Sequence, residues 1–234
     1  MYSFRSKVRY SEVNKDGKLD IPSIINYFQD CSTFQSESLG LGVEHLKKEK
    51  RAWLLNAWQV EFIKDAYLME DIEIGTWSWG AKGIYGHRNF VLNDAKGNRL
   101  VNGNSLWVFT DITTGKPVMV EPKDIEPYGI EPPIDMTDYG RKIKIEGDGE
   151  QYTSFKVRKY HIDTNGHVNN AVYVQFATEY LNDDIRVKVL RVEYRKPAVY
   201  GDVIYPVIYR DGSSLTVLLN DEKGSGYAKV QFIY

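Results

Sequence analysis

Cysteine is nearly absent: Cys31 stands alone, so no internal disulfide can form and no cysteine-cluster metal site exists. Long apolar runs are missing too. No stretch approaches the roughly 20 residues of a membrane span, and the opening MYSFRSKVRY lacks the apolar core of a signal peptide. These absences predict a soluble, cytoplasmic protein. Neither sign of charge is in large excess: 30 Lys and Arg face 32 Asp and Glu, for a formal charge of -2 and a pI near 6.1. That balance excludes the basic footprint of a nucleic-acid binder. The chain also has no G-x-S-x-G elbow, no H-E-x-x-H, no complete P-loop and no full G-x-G-x-x-G. His45, His87 and His161 lack metal-ligand spacing and are expected to be surface or hydrogen-bonded structural residues. No cofactor and no metal is expected.

Aromatic residues are plentiful, with 17 Tyr and 5 Trp among 234 residues, which suits strands that bury wide amphipathic side chains. The chain also repeats itself. VRYSEVNKDGKLDIPSIINYFQD from Val8 lies over VRKYHIDTNGHVNNAVYVQFATE from Val157 at an offset of 149 residues, pairing Arg9 with Arg158 and Gly17 with Gly166. VEFIKDAYLMEDIEI from Val60 matches VEYRKPAVYGDVIYP from Val192 at 132, and LNDAKG from Leu92 matches LNDEKG from Leu219 at 127. The blocks keep their order while the offset falls, as loop trimming in a duplicated domain would produce. Between the copies, residues 115–140 hold five of the eight prolines, Pro117, Pro122, Pro127, Pro132 and Pro133, a density that suits an extended connection with few regular hydrogen bonds. The expected domains are residues 1–115, a linker over 116–150, and 151–234.

Each copy reads as a short strand, one long helix, then strands. Asp20 caps a predicted helix with Pro22 in its first turn, and Ile21, Ile24, Ile25, Phe28 and Cys31 keep one apolar face until Gly40. Val172, Tyr173, Phe176, Ala177 and Tyr180 repeat that face. IEIGTWSWG, HRNFVLND, SSLTVLLND and YAKVQFIY read as strands, with NDAKG and NDEKG as hairpin turns. The predicted class is α+β, an antiparallel sheet curled around one helix in each copy. Among the Trp residues, Trp53 and Trp58 flank an apolar LLNA and are candidates for an acyl pocket, against a plain core role.

The densest chemistry lies in HIDTNGHVNN, residues 161–170. A turn and a helix cap account for some of it. The repeat supplies a control: where copy two has Asp163, Asn165 and His167, copy one has Asn14, Asp16 and Lys18, so the glycine and apolar positions persist while the acid and imidazole do not. That points to a working site in copy two. Asp163 can activate a water or attack directly, His167 can orient the acid or pass a proton to a leaving group, and Asn165 can hold water or the carboxylate.

The run D-x-N-x-H-V-N-N-x-x-Y, Asp163 through Tyr173, resembles the catalytic segment of acyl-acyl-carrier-protein (acyl-ACP) thioesterases. Trp53 through Val60, Glu61, Asp71, Thr76, Trp77, Gly83, Gly86 and Arg88 are similar to that family's N-terminal half. The resemblance implies a tandem (double) hotdog fold, catalytic roles for Asp163, Asn165 and His167, and hydrolysis of the thioester between a fatty acyl chain and the phosphopantetheine arm of acyl carrier protein. One departure stands out: plant members carry Glu-Cys after their E-Y-R-R stretch, and here Pro197 and Ala198 follow Glu193, Tyr194, Arg195 and Lys196. A cysteine nucleophile is excluded at that place, so the chemistry falls to Asp163, with Glu179 as a candidate helper. The implied partner is acidic, so Lys156, Arg158, Lys159, Arg186, Lys188, Arg191, Arg195 and Lys196 are candidates for its docking surface. Alternation in IRVKV puts Arg186 and Lys188 on one strand face. Association into a homodimer is open to such sheets. The rival readings are a hotdog acyl-CoA thioesterase and a non-catalytic acyl-chain binder; a hotdog dehydratase is disfavoured because no H-F-P segment occurs.

Overall fold

The computed structural model describes residues 1–234. Its packing divides the chain into two units, Met1–Asn56 with Val60–Thr137, and Ala57–Gln59 with Asp138–Tyr234.

The first unit runs β1 (Tyr2–Lys7), α1 (Ile21–Ser38), α2 (Val43–Lys48), β2 (Arg51–Phe62), β3 (Asp71–Lys82), β4 (Tyr85–Asp94), β5 (Arg99–Asp111), β6 (Lys116–Pro117) and α3 (Pro122–Ile125). Helix α1 starts as its sequence predicts: Asp20 Oδ1 accepts from the Ser23 amide at 2.7 Å, and Pro22 sits in the first turn, where no N–H is missed. It ends at Leu39, with Gly40 in the left-handed region. Its buried face includes Ile24, Ile25, Phe28 and Cys31, and the Phe28 ring stacks on Phe90 of β4 at 5.1 Å. Gly103 of β5 makes room for that ring, since a Cβ there would fall 2.8 Å from it. Strand order in this unit is β1-β3-β4-β5-β2, and the pairs β1–β3, β3–β4 and β4–β5 are antiparallel.

The second unit runs β7 (Glu150–Gln151), β8 (Phe155–Lys156), α4 (Asn170–Thr178), β9 (Val189–Tyr194), β10 (Val203–Arg210), β11 (Ser214–Asn220) and β12 (Gly226–Ile233). Its strand order is β7-β10-β11-β12-β9, with β8 on the other part of β10, and its pairs are antiparallel. With β7 and β8, which both pair with β10, counted as one interrupted strand, the order is the same as in the first unit. The registers agree as well: Ile74 faces Leu92 and Pro206 faces Leu219, reproducing the sequence offsets of 132 and 127. Both NDxKG turns close identically. Asp94 Oδ1 accepts from the amides of Lys96 and Asn98, Asp221 Oδ1 from those of Lys223 and Ser225, and Gly97 and Gly224 take the positive φ the turn requires.

Two expectations need correction. The second helix is half the length of the first, nine residues against 18, so Tyr180 lies beyond it. Short bonds from the Tyr180 amide to Ala177 and from the Leu181 amide to Thr178 tighten its last turn, and Asn182, Asp183 and Asp184 follow, residues that compete with a helix for their own backbone. The proline-rich segment is also more ordered than an extended connection, because it holds α3 and a 3-10 turn at Glu126–Tyr128. Its irregular parts are tied by side chains. Within the first unit, the Trp77 indole donates to the Pro132 carbonyl, the Ile134 amide to Asn89, and the Thr137 amide to Glu61 at 3.2 Å. Within the second, the Ile143 amide donates to Glu193 at 3.3 Å. Glu61 and Glu193 are repeat partners doing the same work.

Candidate active site

The 161–170 segment is a small hairpin followed by a helix cap. Ile162 bridges Val168, the Asp163 amide donates to the His167 carbonyl at 2.8 Å, and Gly166 turns the chain with φ 78°. Asn169 Oδ1 caps α4 through the Ala171 amide at 2.8 Å. Asp163 organises the loop: its Oδ1 accepts from the Asn165 amide at 2.8 Å and the His167 amide at 3.4 Å, while its Oδ2 lies 3.4 Å from Asn165 Nδ2. Asp163 is half-buried, and Asn165 and His167 are exposed. The structure thus joins the Asp163 and Asn165 side chains and holds His167 by its backbone. Carboxylate oxygen Oδ1 is committed to amides, and Oδ2 carries the lighter load.

Copy one builds the same hairpin with different chemistry. Val13 bridges Leu19, the Asn14 amide donates to the Lys18 carbonyl at 2.8 Å, and Asn14 Oδ1 accepts from the amides of Asp16 and Lys18 at 3.0 Å each. An amide oxygen therefore suffices for the turn. A carboxylate at Asp163 exceeds what the shape requires.

Behind the hairpin the two copies diverge further. The Leu19 amide donates to the Ala66 carbonyl, and the Val168 amide to the Ala198 carbonyl, each at 2.9 Å. Only in copy two does a phenol meet that alanine: Tyr173 Oη accepts from the Ala198 amide at 2.8 Å, where copy one has Ile24. The apolar periodicity that put Tyr173 on the helix face concealed this bond. Burial pushes the Tyr173 phenol up to about 12. Ala198 is fully buried, with amide and carbonyl both engaged.

His161 is the hydrogen-bonded structural residue expected. Its Nδ1 accepts from the Arg158 amide at 3.0 Å, a bond that Glu12 makes to Arg9 in copy one, and its ring meets Phe176 edge-on at 4.7 Å. Burial first, then Arg158, lowers its pKa. Cys31 is buried, with its thiol pushed up to about 12 by desolvation. Trp58 is a buried core side chain, while Trp53 is half-buried, packed on Phe109 and over Gly86. Glu179 is exposed at the end of α4.

The basic candidates separate into two groups. Lys156, Arg158, Lys159, Arg186 and Lys188 are exposed. Arg191 is not a surface residue. Its guanidinium donates to Gln231 and to the carbonyls of Tyr139, Gly140 and Lys142, because β9 is covered on both faces. Arg195 pairs with Glu193, and Lys196 with Asp221.

Two family models match the chain in order: the acyl-ACP thioesterase N-terminal domain over residues 1–128 and the acyl-ACP thioesterase C-terminal domain over 146–234. A curated relative is oleoyl-acyl carrier protein thioesterase 2, chloroplastic, of Arabidopsis thaliana, 24% identical over 226 residues. That match covers 87% of this chain and 62% of the relative, so the chain spans less than two thirds of the relative's length. Among solved structures, an acyl-ACP thioesterase from Bacteroides thetaiotaomicron superposes with a TM-score of 0.91 at 19% identity, covering 99% of this chain and 96% of that one. The 12:0-ACP thioesterase from Umbellularia californica gives 0.88 at 21%, with coverage of 99% and 96%. Likeness at such identities speaks for the fold.

Proposed function

We propose that this chain, which belongs to the acyl-ACP thioesterase family, hydrolyses the thioester of fatty acyl-acyl carrier protein and releases free fatty acid, ending chain elongation. In this reading each unit is one hotdog of a tandem pair, with residues 1–115 and 151–234 as the repeats, 116–150 as the linker, and the cytoplasm as the place of action. The observation that carries the reading is the carboxylate at Asp163, in a hairpin that copy one closes equally well with Asn14.

Asp163 Oδ2 acts as general base on a water, with Asn165 holding the carboxylate in orientation. The water oxygen adds to the thioester carbon as its proton passes to Asp163. The tetrahedral intermediate then collapses, the C–S bond breaks, and the departing thiolate receives a proton through His167. The acidic carrier docks on Arg186 and Lys188 together with Lys156, Arg158 and Lys159.

The test is release of free fatty acid from a panel of acyl carrier protein substrates by the wild type, Asp163→Ala and His167→Ala. Turnover lost in both folded variants is expected; turnover unchanged in either removes that residue from the chemistry. The same acyl chain presented on CoA separates carrier specificity from thioester hydrolysis in general.

A further inference from the structure

Two buried hydroxyls behind the Asp163 hairpin have no counterpart in copy one. Tyr173 of α4 and Tyr194 of β9 are 3% and 8% exposed. At the offsets of 149 and 132 their counterparts are Ile24 and Phe62, so the architecture asks for an apolar side chain at each place and for no oxygen. Burying a hydroxyl is costly unless it is hydrogen-bonded. Both are bonded, and both to backbone: Tyr173 Oη accepts from the Ala198 amide at 2.8 Å, and Tyr194 Oη donates to the Asn170 carbonyl at 2.9 Å. The two rings meet edge-on with centroids 5.9 Å apart. Burial pushes the Tyr173 phenol up to about 12 and that of Tyr194 well above its ordinary value, so both keep their protons at neutral pH.

The partners of the two phenols bracket one short stretch, the junction between hairpin and helix. The hairpin's return arm ends at Val168, whose amide donates to the Ala198 carbonyl at 2.9 Å, and Tyr173 holds the same alanine by its amide. Helix α4 begins at Asn170, whose carbonyl Tyr194 takes. In copy one the Leu19 amide still meets the Ala66 carbonyl and Asp20 still caps α1, so hairpin and helix form without either hydroxyl. The phenols therefore add something other than the fold. The hydrogen bonds of the Asp163 carboxylate all come from Asn165 and His167, within its own loop. Its orientation toward the rest of the unit is set by how firmly that loop is anchored at its base.

We propose that Tyr173 and Tyr194 are positioning residues for the Asp163 carboxylate, two phenol struts that lock the junction of hairpin and α4 and hold the general base at a fixed angle to a bound thioester. The effect on turnover rests on the hydrolase reading; the locking rests on the hydrogen bonds alone. Misplacing a reacting group by about 1 Å costs on the order of 100-fold in rate. Neither phenol is placed against the carrier, so binding is left as it was and the loss falls on the chemical step.

The experiment compares wild type with Tyr173→Phe, Tyr194→Phe and the double variant, which keep the rings and remove the oxygens. Tyr194→Phe strands no amide, and keeps the test open should Tyr173→Phe, which strands that of Ala198, fail to fold. Amide hydrogen exchange on the unliganded full chain is read beside steady-state turnover of an acyl carrier protein substrate. Exchange at the hydrogen-bonded amides of Asp163, Gly166 and Val168 is expected to quicken about tenfold or more in the variants, with β11 and β12 unchanged. In the same variants kcat is expected to fall about 10- to 100-fold while KM stays within about twofold. Unchanged exchange in the hairpin overturns the lock. A kcat that holds at the wild-type value, or a loss that appears in KM instead, overturns the role in the reaction. If wild type turns over no thioester, the hydrolase reading falls and the role in turnover with it, while the exchange result still decides for or against the locked junction.

Discussion

The equivalence of Asn14 and Asp163 separates shape from chemistry in a single substitution. In Asp163→Asn the oxygen that accepts from the Asn165 and His167 amides is kept, as Asn14 keeps it toward Asp16 and Lys18. What is lost is the weak 3.4 Å contact from Asn165 Nδ2 and the negative charge. Stability should change by no more than about 0.5 kcal/mol, which for a chain of this size is under about 2 °C in Tm. Asp163→Ala strands both amides and should cost about 1–2 kcal/mol, or about 2–8 °C. Loss of a general base should lower turnover on acyl carrier protein substrates by about 100- to 10,000-fold in both variants. Thermal melts beside single-turnover fatty acid release give the two readouts. An Asn variant that melts as low as the Ala variant would refute the structural equivalence, and one that retains near-wild-type turnover would refute the carboxylate's role.

The core carries a similar exchange: Phe28 with Gly103 in the first unit matches Ala177 with Val230 in the second, all but Gly103 being buried core side chains. Gly103→Val alone should cost about 1–3 kcal/mol by overpacking Phe28, and adding Phe28→Ala should leave the double variant more stable than the two single losses summed; additive losses in thermal melts would show that the positions do not compensate. Stability should also fall in alkali. The unfolded chain releases the Cys31 proton from about 9 and the Tyr173 proton from about 10, while the folded chain holds both to about 12, so the unfolded state binds fewer protons and stability drops by up to about 1.4 kcal/mol per pH unit per group. Cys31→Val should flatten the limb between about pH 9 and 10, and denaturant midpoints that fall in parallel with wild type would remove the thiol from it. Reversing charge in Arg186→Glu/Lys188→Glu should raise KM for carrier-bound substrate on the order of tenfold at low salt with kcat little changed; an unaltered KM would place the carrier elsewhere.

What could be read along the chain was local chemistry. Asp20 with Pro22 starts a helix, NDAKG and NDEKG close hairpins, and the falling offset between repeats fits the registers of both sheets, because each depends on hydrogen bonds spanning only a few residues or on a period of two. Failures came where a partner arrives from afar. Tyr173 counted as one more apolar helix residue until the Ala198 amide, 25 residues on, was found against its hydroxyl. The second helix was a different failure, a local one: it ends at Thr178, just before the polar run at 182–184. Arg191 was a docking candidate beside Arg186 and Lys188, but it lies in a strand where Val189 and Leu190 are both buried, and on a strand covered on both faces alternation no longer forecasts exposure. Sequence by itself determined the duplication, the class of fold and the residues of the hairpin at Asp163, since turn chemistry and periodicity are local properties. Tertiary structure alone decided which buried groups are satisfied: the clamp of Tyr173 on Ala198 and the enclosure of Arg191 by carbonyls. Those depend on segments brought together by packing, whose spacing along the chain carries no signal.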